Sequence, residues 1–244
     1  MHRTRLDKLV VERGLAPTSG KAQALILAGQ IKVDGQRADK AGAQIPEDAR
    51  IELIRQPLRY ASRAGLKLEG ALEDFQLDPT EKVCLDIGAS HGGFTDCLLQ
   101  HGAARVYAVD VGKGQLEWQL RQDERVVVCE GINARDLRPD DIGEPVDWVT
   151  ADVAFISLTK ILPAAVGCAK DGALFLLLVK PQFELPREKV GQGGIVRDPG
   201  LHDEAVEIVR QAALALGLEE IGVHPSRTPG AEGNREFFLC AHKP

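Results

Sequence analysis

The period of the apolar positions changes along the chain. Leu6, Leu9 and Val10 fall at helical spacing and predict a helix that ends near Gly14. Ala22, Leu25 and Ile26 predict a second helix, capped by Thr18 or Ser19 and stopped at Gly29. Ile31-Lys32-Val33 then alternates like a strand into the turn signal Asp34-Gly35, and Ala49 to Ile54 forms another short alternating strand. Pro57 opens a linker, and Ala64 to Phe75 reads as a helix. From Val83 onward, strand-like and helix-like runs alternate. Strands are expected from Val83, over Arg105 to Val111, Val126 to Cys129, Val146 to Ala151 and Ala173 to Val179, with helices between them. That order predicts an α/β unit with a mostly parallel sheet covered on both faces. Asp203 to Leu216 is a helix, and Leu218 to His224 and Glu236 to Ala241 are strands joined by a loop alone. Those last two strands therefore make an antiparallel addition at the end of the sheet. The expected organisation is a small α+β unit over residues 1–56, a linker over 57–63 and an α/β unit over 64–244.

Composition narrows the class. At 244 residues and 44% hydrophobic content the chain can bury a sizeable core. Its longest strongly apolar run, Ala173 to Val179, is far short of the ~20 residues a bilayer span needs. The charged start MHRTRLDKL has no apolar stretch of the secretory kind. Five cysteines without a CxxC pair point to reduced thiols, with Cys84, Cys129 and Cys240 as small core residues. A cytoplasmic enzyme is the natural expectation.

The formal charge of −6 argues against a polyanionic partner until it is divided. Up to Leu66 the chain carries 12 Lys and Arg against 7 Asp and Glu, about +5, which leaves about −11 on the remainder. A basic arm on an acidic body suits docking on a polyanion by one part and chemistry by the other.

Residues Val83 to Thr95 read VCLDIGASHGGFT. A strand ends in Asp86, a turn of small residues follows (Gly88, Ala89, Ser90, Gly92, Gly93), and Phe94 to Gln100 is an amphipathic helix. This is a nucleotide-type pocket at the carboxyl end of a parallel strand, with glycines where backbone passes close to a ligand or φ is positive. The spacing is neither GxGxxG nor GxxxxGK[ST]. An acid ahead of the turn repels a pyrophosphate and welcomes a cationic ligand, which favours S-adenosylmethionine over NAD or ATP. Asp110, with Val111 beside it, ends the next strand about 24 residues on, where a ribose-binding acid belongs; a solvated turn acid is the alternative. Gly131-Ile132-Asn133-Ala134 at the third strand's exit flanks the adenine. Phe94 either covers the methionine arm or packs in its helix. Asp152 and Lys180 end successive apolar strands, and a lysine there is costly unless it is paired or functional.

The string RLDKLVVERGLAPTSGKAQALILAGQIKVDG resembles the S-four RNA-binding module. The resemblance implies phosphate contacts from Arg3, Arg5, Lys8 and Lys21, with Arg63 added ahead of the larger unit, and recognition of RNA shape rather than stacking. Ser19-Gly20 stands where relatives carry an extra Arg, which implies weaker docking through that helix. Longer motifs cover nearly the whole chain: SRAGLKLEGAL, DIGASHGGFTD, AVDVGKGQLEWQLRQDERV, DVAFISL, VKPQFE, GGIVRDP and GNREFF. Together they resemble the TlyA, or hemolysin A, family of ribosomal-RNA 2′-O-methyltransferases, allied to the FtsJ-like enzymes. His91 and Ala64 depart from the usual Thr and Gly of that pattern.

The resemblance implies a Rossmann-like S-adenosylmethionine-dependent sheet, S-adenosylhomocysteine as product, ribosomal RNA or a ribosomal subunit as partner, and no metal or membrane. It makes Lys67, Asp152, Lys180 and Glu236 a catalytic tetrad acting on a ribose 2′-hydroxyl of cytidine. Lys180 orients and deprotonates the hydroxyl, Lys67 lowers its pKa or steadies the developing alkoxide, Asp152 holds Lys180 and neighbours the cationic sulfonium, and Glu236 orients Lys67 or the ribose. Two rival readings are an RNA-binding assembly factor with a vestigial pocket and, on the family's older name, a membrane-lytic protein.

Overall fold

The computed structural model describes residues 3–54, 59–230 and 233–244. It divides into two compact units, Met1–Leu58 and Arg59–Pro244.

The first unit runs β1 (Arg3–Arg5), α1 (Leu6–Glu12), α2 (Ser19–Leu27), β2 (Ile31–Val33), β3 (Gln36–Ala38), β4 (Gln44–Pro46) and β5 (Ile51–Leu53). Thr18 caps α2 by accepting the Lys21 N–H at 3.3 Å. Asp34 (φ 50°) and Gly35 (φ 82°) make the tight hairpin between β2 and β3, two successive positive-φ positions of the kind an Asp-Gly pair supplies. β2 pairs antiparallel with both β3 and β5, and β1 pairs with β4. Leu6, Leu9, Val10, Ala22, Ile26 and Ile31 close the core, so the helical spacing expected from the sequence is the buried face of both helices.

The second unit begins with α3 (Ala64–Asp74) and continues through β6 (Val83–Ile87), α4 (Gly93–Gln100), β7 (Arg105–Asp110), α5 (Trp118–Arg121), β8 (Val126–Glu130), α6 (Pro139–Ile142) and β9 (Val146–Ala151). It ends with α7 (Leu162–Cys168), β10 (Ala169–Val179), α8 (Pro181–Glu184), α9 (Pro199–Ala215), β11 (Glu219–Pro225) and β12 (Phe237–His242). The seven strands lie in the order β11-β12-β10-β9-β6-β7-β8. β8, β7, β6, β9 and β10 are parallel, while β12 runs antiparallel to β10 and β11 antiparallel to β12. The chain turns outward in opposite directions from β6, so the switch point falls between β6 and β9, where ligands settle against the carboxyl ends of strands.

Alternation sorts each strand between two apolar layers. Cys84, Val106, Trp148, Leu176, Leu178, Phe238 and Cys240 pack towards α3 and α4. Leu85, Val109, Val149, Phe175, Leu177 and Leu239 pack towards α7 and α9. All five cysteines are buried and free.

The linker expected over 57–63 needs correcting. Pro57 and Leu58 lie outside the described residues, but Arg59 to Arg63 belongs to the second unit. Tyr60 is buried among Leu68, Leu98 and their neighbours, the Ala61 N–H donates to Asp96 Oδ2 at 2.7 Å, and Arg59 pairs with Glu69. A buried aromatic makes this segment part of the core, and composition alone could not register that.

Candidate active site

The registers of the central strands place the candidate side chains. Ile87 of β6 pairs with Ala151 of β9, and Ala151 pairs with Leu177 of β10. Asp152 follows β9 and Lys180 follows β10, so both leave the same carboxyl edge of the sheet. On the antiparallel side Leu178 pairs with Phe238 and Val179 with Phe237; one step further sets Lys180 opposite Glu236. Alternation then decides the face. Asp152 lies two residues on from Thr150 and four from Trp148, Lys180 two on from Leu178, and Glu236 two before Phe238, so all three emerge on the α3 side. α3 contributes Lys67 from that side.

The result is two ion pairs. Lys67 Nζ donates to Glu236 Oε2 at 2.6 Å, both side chains nearly buried at 11% and 3% exposure. Lys180 pairs with Asp152, again with little exposure. Two cations at the end of a hydrophobic sheet are thereby compensated one for one, as burial of charge requires.

Next to the Lys180–Asp152 pair are two adjoining cavities sharing Gly88, Ser90, Asp152 and Ala154 in their walls; Lys67 and Glu236 line neither, and Glu236 borders a separate cavity with Arg227 and Arg235. The smaller, about 230 Å³, also meets Ser62, Ala64, Ala89, Phe94 and Lys180. The larger, about 490 Å³, is bounded by Asp110, Val111, Gln115, Asn133, Ala134 and Phe155, among others. Asp110 is braced for contact: its Oδ2 accepts the Ser90 N–H at 2.8 Å and its Oδ1 the Gly112 N–H at 2.7 Å. Each oxygen keeps a lone pair for a hydroxyl donor. The Ile132 N–H donates to the Asp110 carbonyl at 3.2 Å, which ties the exit of β8 to the end of β7.

Several expected contacts sit elsewhere. Asp86 lines neither cavity; it is fully buried behind the turn, accepting from Thr95 Oγ1 at 2.7 Å and Thr150 Oγ1 at 3.2 Å. Burial pushes its carboxyl up to about 7, and the nearby Asp152 adds to the shift while the two threonines oppose it. Gly92 and Gly93 also line neither. The glycines serve close approach within the protein: a Cβ on Gly88 (φ 85°) would lie 2.4 Å from the Asp152 carbonyl, and one on Gly92 (φ 93°) 2.2 Å from a Leu120 methyl. Phe94 reconciles its two alternatives, reaching the smaller cavity while stacking on Phe238 with centroids 6.1 Å apart. His91 is exposed, with Nδ1 3.1 Å from Ser90 Oγ.

Of the basic residues, Arg3, Lys8 and Lys21 are exposed on the first unit and Arg63 is exposed at the head of α3. Arg5 differs. Its guanidinium donates twice to Asp7, at 3.0 and 2.7 Å, and Asp7 is itself buried and held further by Gln23. The Arg5 bond holds the Asp7 carboxyl down at about 2. Arg5 is therefore committed to the fold of its unit.

Phe155 carries no signal of its own in the sequence. It is 91% exposed at the mouth of the larger cavity, at φ 64°, with its ring 5.3 Å from that of Phe183. A bulky residue in the left-handed region is uncommon and needs its neighbours to hold it. The motifs DVAFISL and VKPQFE contain both rings, yet nothing in either string says that they meet.

Comparison with known proteins agrees with this geometry. Residues 60–243 match the FtsJ-like methyltransferase family and residues 4–51 the S4 domain. The chain is 48% identical over 238 residues to the 16S/23S rRNA (cytidine-2′-O)-methyltransferase TlyA of Mycobacterium tuberculosis, covering 97% of this chain and 89% of that protein. A solved structure from Streptococcus thermophilus bearing the hemolysin name matches with a TM-score of 0.79 at 43% identity, covering 100% of this chain and 89% of the other. An S-adenosylmethionine-dependent methyltransferase from Mesorhizobium loti shares the fold alone, with a TM-score of 0.54 at 13% identity over 72% of this chain and 98% of that one. Among the described residues no helix is long and apolar enough to cross a membrane. The chain belongs to the FtsJ-like methyltransferases, as a member of the TlyA family.

Proposed function

We propose that this protein is a cytoplasmic enzyme that transfers a methyl group from S-adenosylmethionine to the 2′-hydroxyl of a cytidine ribose in ribosomal RNA. One observation carries the reading: at the carboxyl edge of the sheet the Lys180–Asp152 pair lines the cavity framed by the glycine turn, which adjoins the cavity of Asp110, and the Lys67–Glu236 pair follows one register step away, just ahead of β12. The cavity's residues fit the methyl donor. Asp110 meets the ribose hydroxyls, Val111, Asn133 and Ala134 border the adenine, and Gly88, Ala89, Ser90 and Phe94 border the methionine arm. Gly92 and Gly93 shape the turn that presents them, and Asp86 supports it from behind. When bound, the donor supplies an electrophilic methyl group on a sulfonium.

The chain's own residues do the rest. Lys180, having passed one proton of its ammonium to solvent, takes the proton of the hydroxyl as its oxygen bonds to the methyl carbon and the carbon–sulfur bond breaks to leave a neutral thioether, and Asp152 stabilises the restored ammonium. Lys67, oriented by Glu236, offers its positive charge to the oxygen as negative charge develops there. Holding donor and hydroxyl in line supplies the largest part of the acceleration, since alignment alone is worth ~7 kcal/mol or more. Phe155 offers an exposed ring face to the base of the target nucleotide. On the first unit Arg3, Lys8 and Lys21 contact RNA phosphates, with Arg63 on the second. The hemolysin name has no support in this chemistry.

Mapping 2′-O-methyl groups in ribosomal RNA with the wild-type protein and with Lys180→Ala tests the reading. The wild type marks cytidine, and Lys180→Ala binds the donor normally but leaves the RNA unmodified. Full turnover by folded Lys180→Ala refutes the assignment.

A further inference from the structure

Two segments leave adjacent strand ends and meet three times. The first, Asp152 to Leu158, follows β9; the second, Lys180 to Leu185, follows β10 and contains α8. Lys180 pairs with Asp152, and Phe183 packs on Phe155. The third meeting belongs to Glu184, which the reaction described above does not use. Its Oε2 accepts from Ser157 Oγ at 2.5 Å and its Oε1 accepts the Leu158 N–H at 3.0 Å.

Glu184 is 9% exposed and, among the described residues, forms no ion pair. A buried carboxylate without a cation is held only by the hydrogen bonds it accepts, here two, both from the opposite segment. That segment needs holding. Phe155 sits at positive φ with its ring almost wholly in solvent, so its own side chain contributes little burial to keep the loop in place. Apolar contact at Leu158 anchors the loop's far end, but it is non-directional and cannot fix the backbone N–H vector that Glu184 fixes.

We infer that Glu184 is a positioning residue: its carboxylate sets the Asp152–Leu158 loop against the turn that carries Lys180. It thereby aligns Asp152 with Lys180 and aims Phe155 without touching substrate. The catalytic part of this inference rests on the methylation reading; the mechanical part does not.

The experiment pairs kinetics with fluorine NMR on protein labelled with 4-fluorophenylalanine, the Phe155 signal being assigned with Phe155→Leu. In Glu184→Ala the Phe155 resonance shifts or broadens, kcat for RNA methylation falls about 30-fold, and the dissociation constant for S-adenosylmethionine by calorimetry stays within about twofold. Glu184→Gln keeps an acceptor for Leu158 and a partner for Ser157, so it restores the resonance and brings kcat to within about threefold of wild type. Ser157→Ala, which removes one bond and keeps the carboxylate, lies between them and serves should Glu184→Ala not fold. An unmoved Phe155 signal in Ser157→Ala and Glu184→Ala overturns the inference. So does a parallel loss of turnover and donor binding that Glu184→Gln fails to rescue, which marks a general structural role. A wild-type protein that methylates no ribose overturns the functional reading instead, and the resonances still report whether Glu184 holds the loop.

Discussion

Lys67 and Glu236, 169 residues apart, meet through a 2.6 Å hydrogen bond that joins α3 to the approach of β12. Both side chains are almost wholly withdrawn from solvent, so removing one strands the other. Glu236→Ala is expected to lower stability by about 3–5 kcal/mol and to reduce kcat by about 100-fold or more. Glu236→Gln retains an acceptor and loses less stability. Urea unfolding alongside methyl-transfer assays separates the two effects. Unchanged kcat in a folded Glu236→Ala would take this pair out of the reaction.

Asp110 gives a contrasting case, because on the proposed reading its carboxylate serves both the fold and the donor. Asp110→Ala leaves the Ser90 and Gly112 N–H groups without their acceptor and removes the ribose contact. A charged hydrogen bond of this kind is worth about 1.5–3 kcal/mol, so the dissociation constant for S-adenosylmethionine should rise more than about tenfold. With donor saturating, kcat should stay within about threefold. Calorimetry and kinetics at several donor concentrations check both halves; unaltered donor affinity contradicts the ribose role.

The parts of this molecule that the sequence made legible are those set by local pattern. The apolar runs of β6, β7, β9 and β10 were readable because buried parallel strands are almost continuously hydrophobic. The antiparallel pair β11 and β12 followed from the lack of a helix between them. β1, β3 and β4 were not readable: RTR, QRA and QIP are three-residue polar strands whose only reason to be extended is a partner elsewhere in the chain. At the site, Lys180 and Asp152 stood out because charge ended an apolar run. The placement of Asp86 did not, since whether an acid at a strand's end faces a ligand or two threonines depends on α4 and β9. The Phe155–Phe183 and Glu184–Ser157 contacts were hidden for the same reason, as both join segments that touch only once the sheet has formed.

The Asp86 carboxyl should give stability a pH dependence of an uncommon sign. Its native value of about 7 lies above the 3.8 of the free side chain, so the native state binds the extra proton between those values. Its favourable contribution is complete below about 4 and is lost as pH rises through about 7, at up to about 1.4 kcal/mol per pH unit. Asp86→Asn cannot ionise and should flatten that slope. Urea unfolding of both proteins at pH 5, 6, 7 and 8 measures it, and a parallel pair of profiles would show that Asp86 is ionised throughout.

The basic residues of the first unit should fall into two groups. Lys8 and Lys21 are exposed and, among the described residues, have no hydrogen-bonded acid, so each can meet a phosphate. Lys8→Ala and Lys21→Ala should each reduce the slope of log K against log salt for RNA binding by about 0.7–0.9 and leave unfolding unchanged. Arg5 is bound to Asp7, whose carboxyl near 2 contributes stability that is present above about pH 4 and lost as pH falls through about 2. Arg5→Ala should therefore lower the unfolding midpoint of this unit near neutral pH and flatten its loss of stability between about pH 4 and pH 2, while Arg5→Lys restores only part of the two-pronged contact. Binding isotherms at four salt concentrations, read beside thermal unfolding of the same variants, distinguish the groups. If Arg5→Ala flattens the salt slope as much as Lys8→Ala does and unfolds at the wild-type temperature, Arg5 faces the RNA after all and the Asp7 contact is incidental.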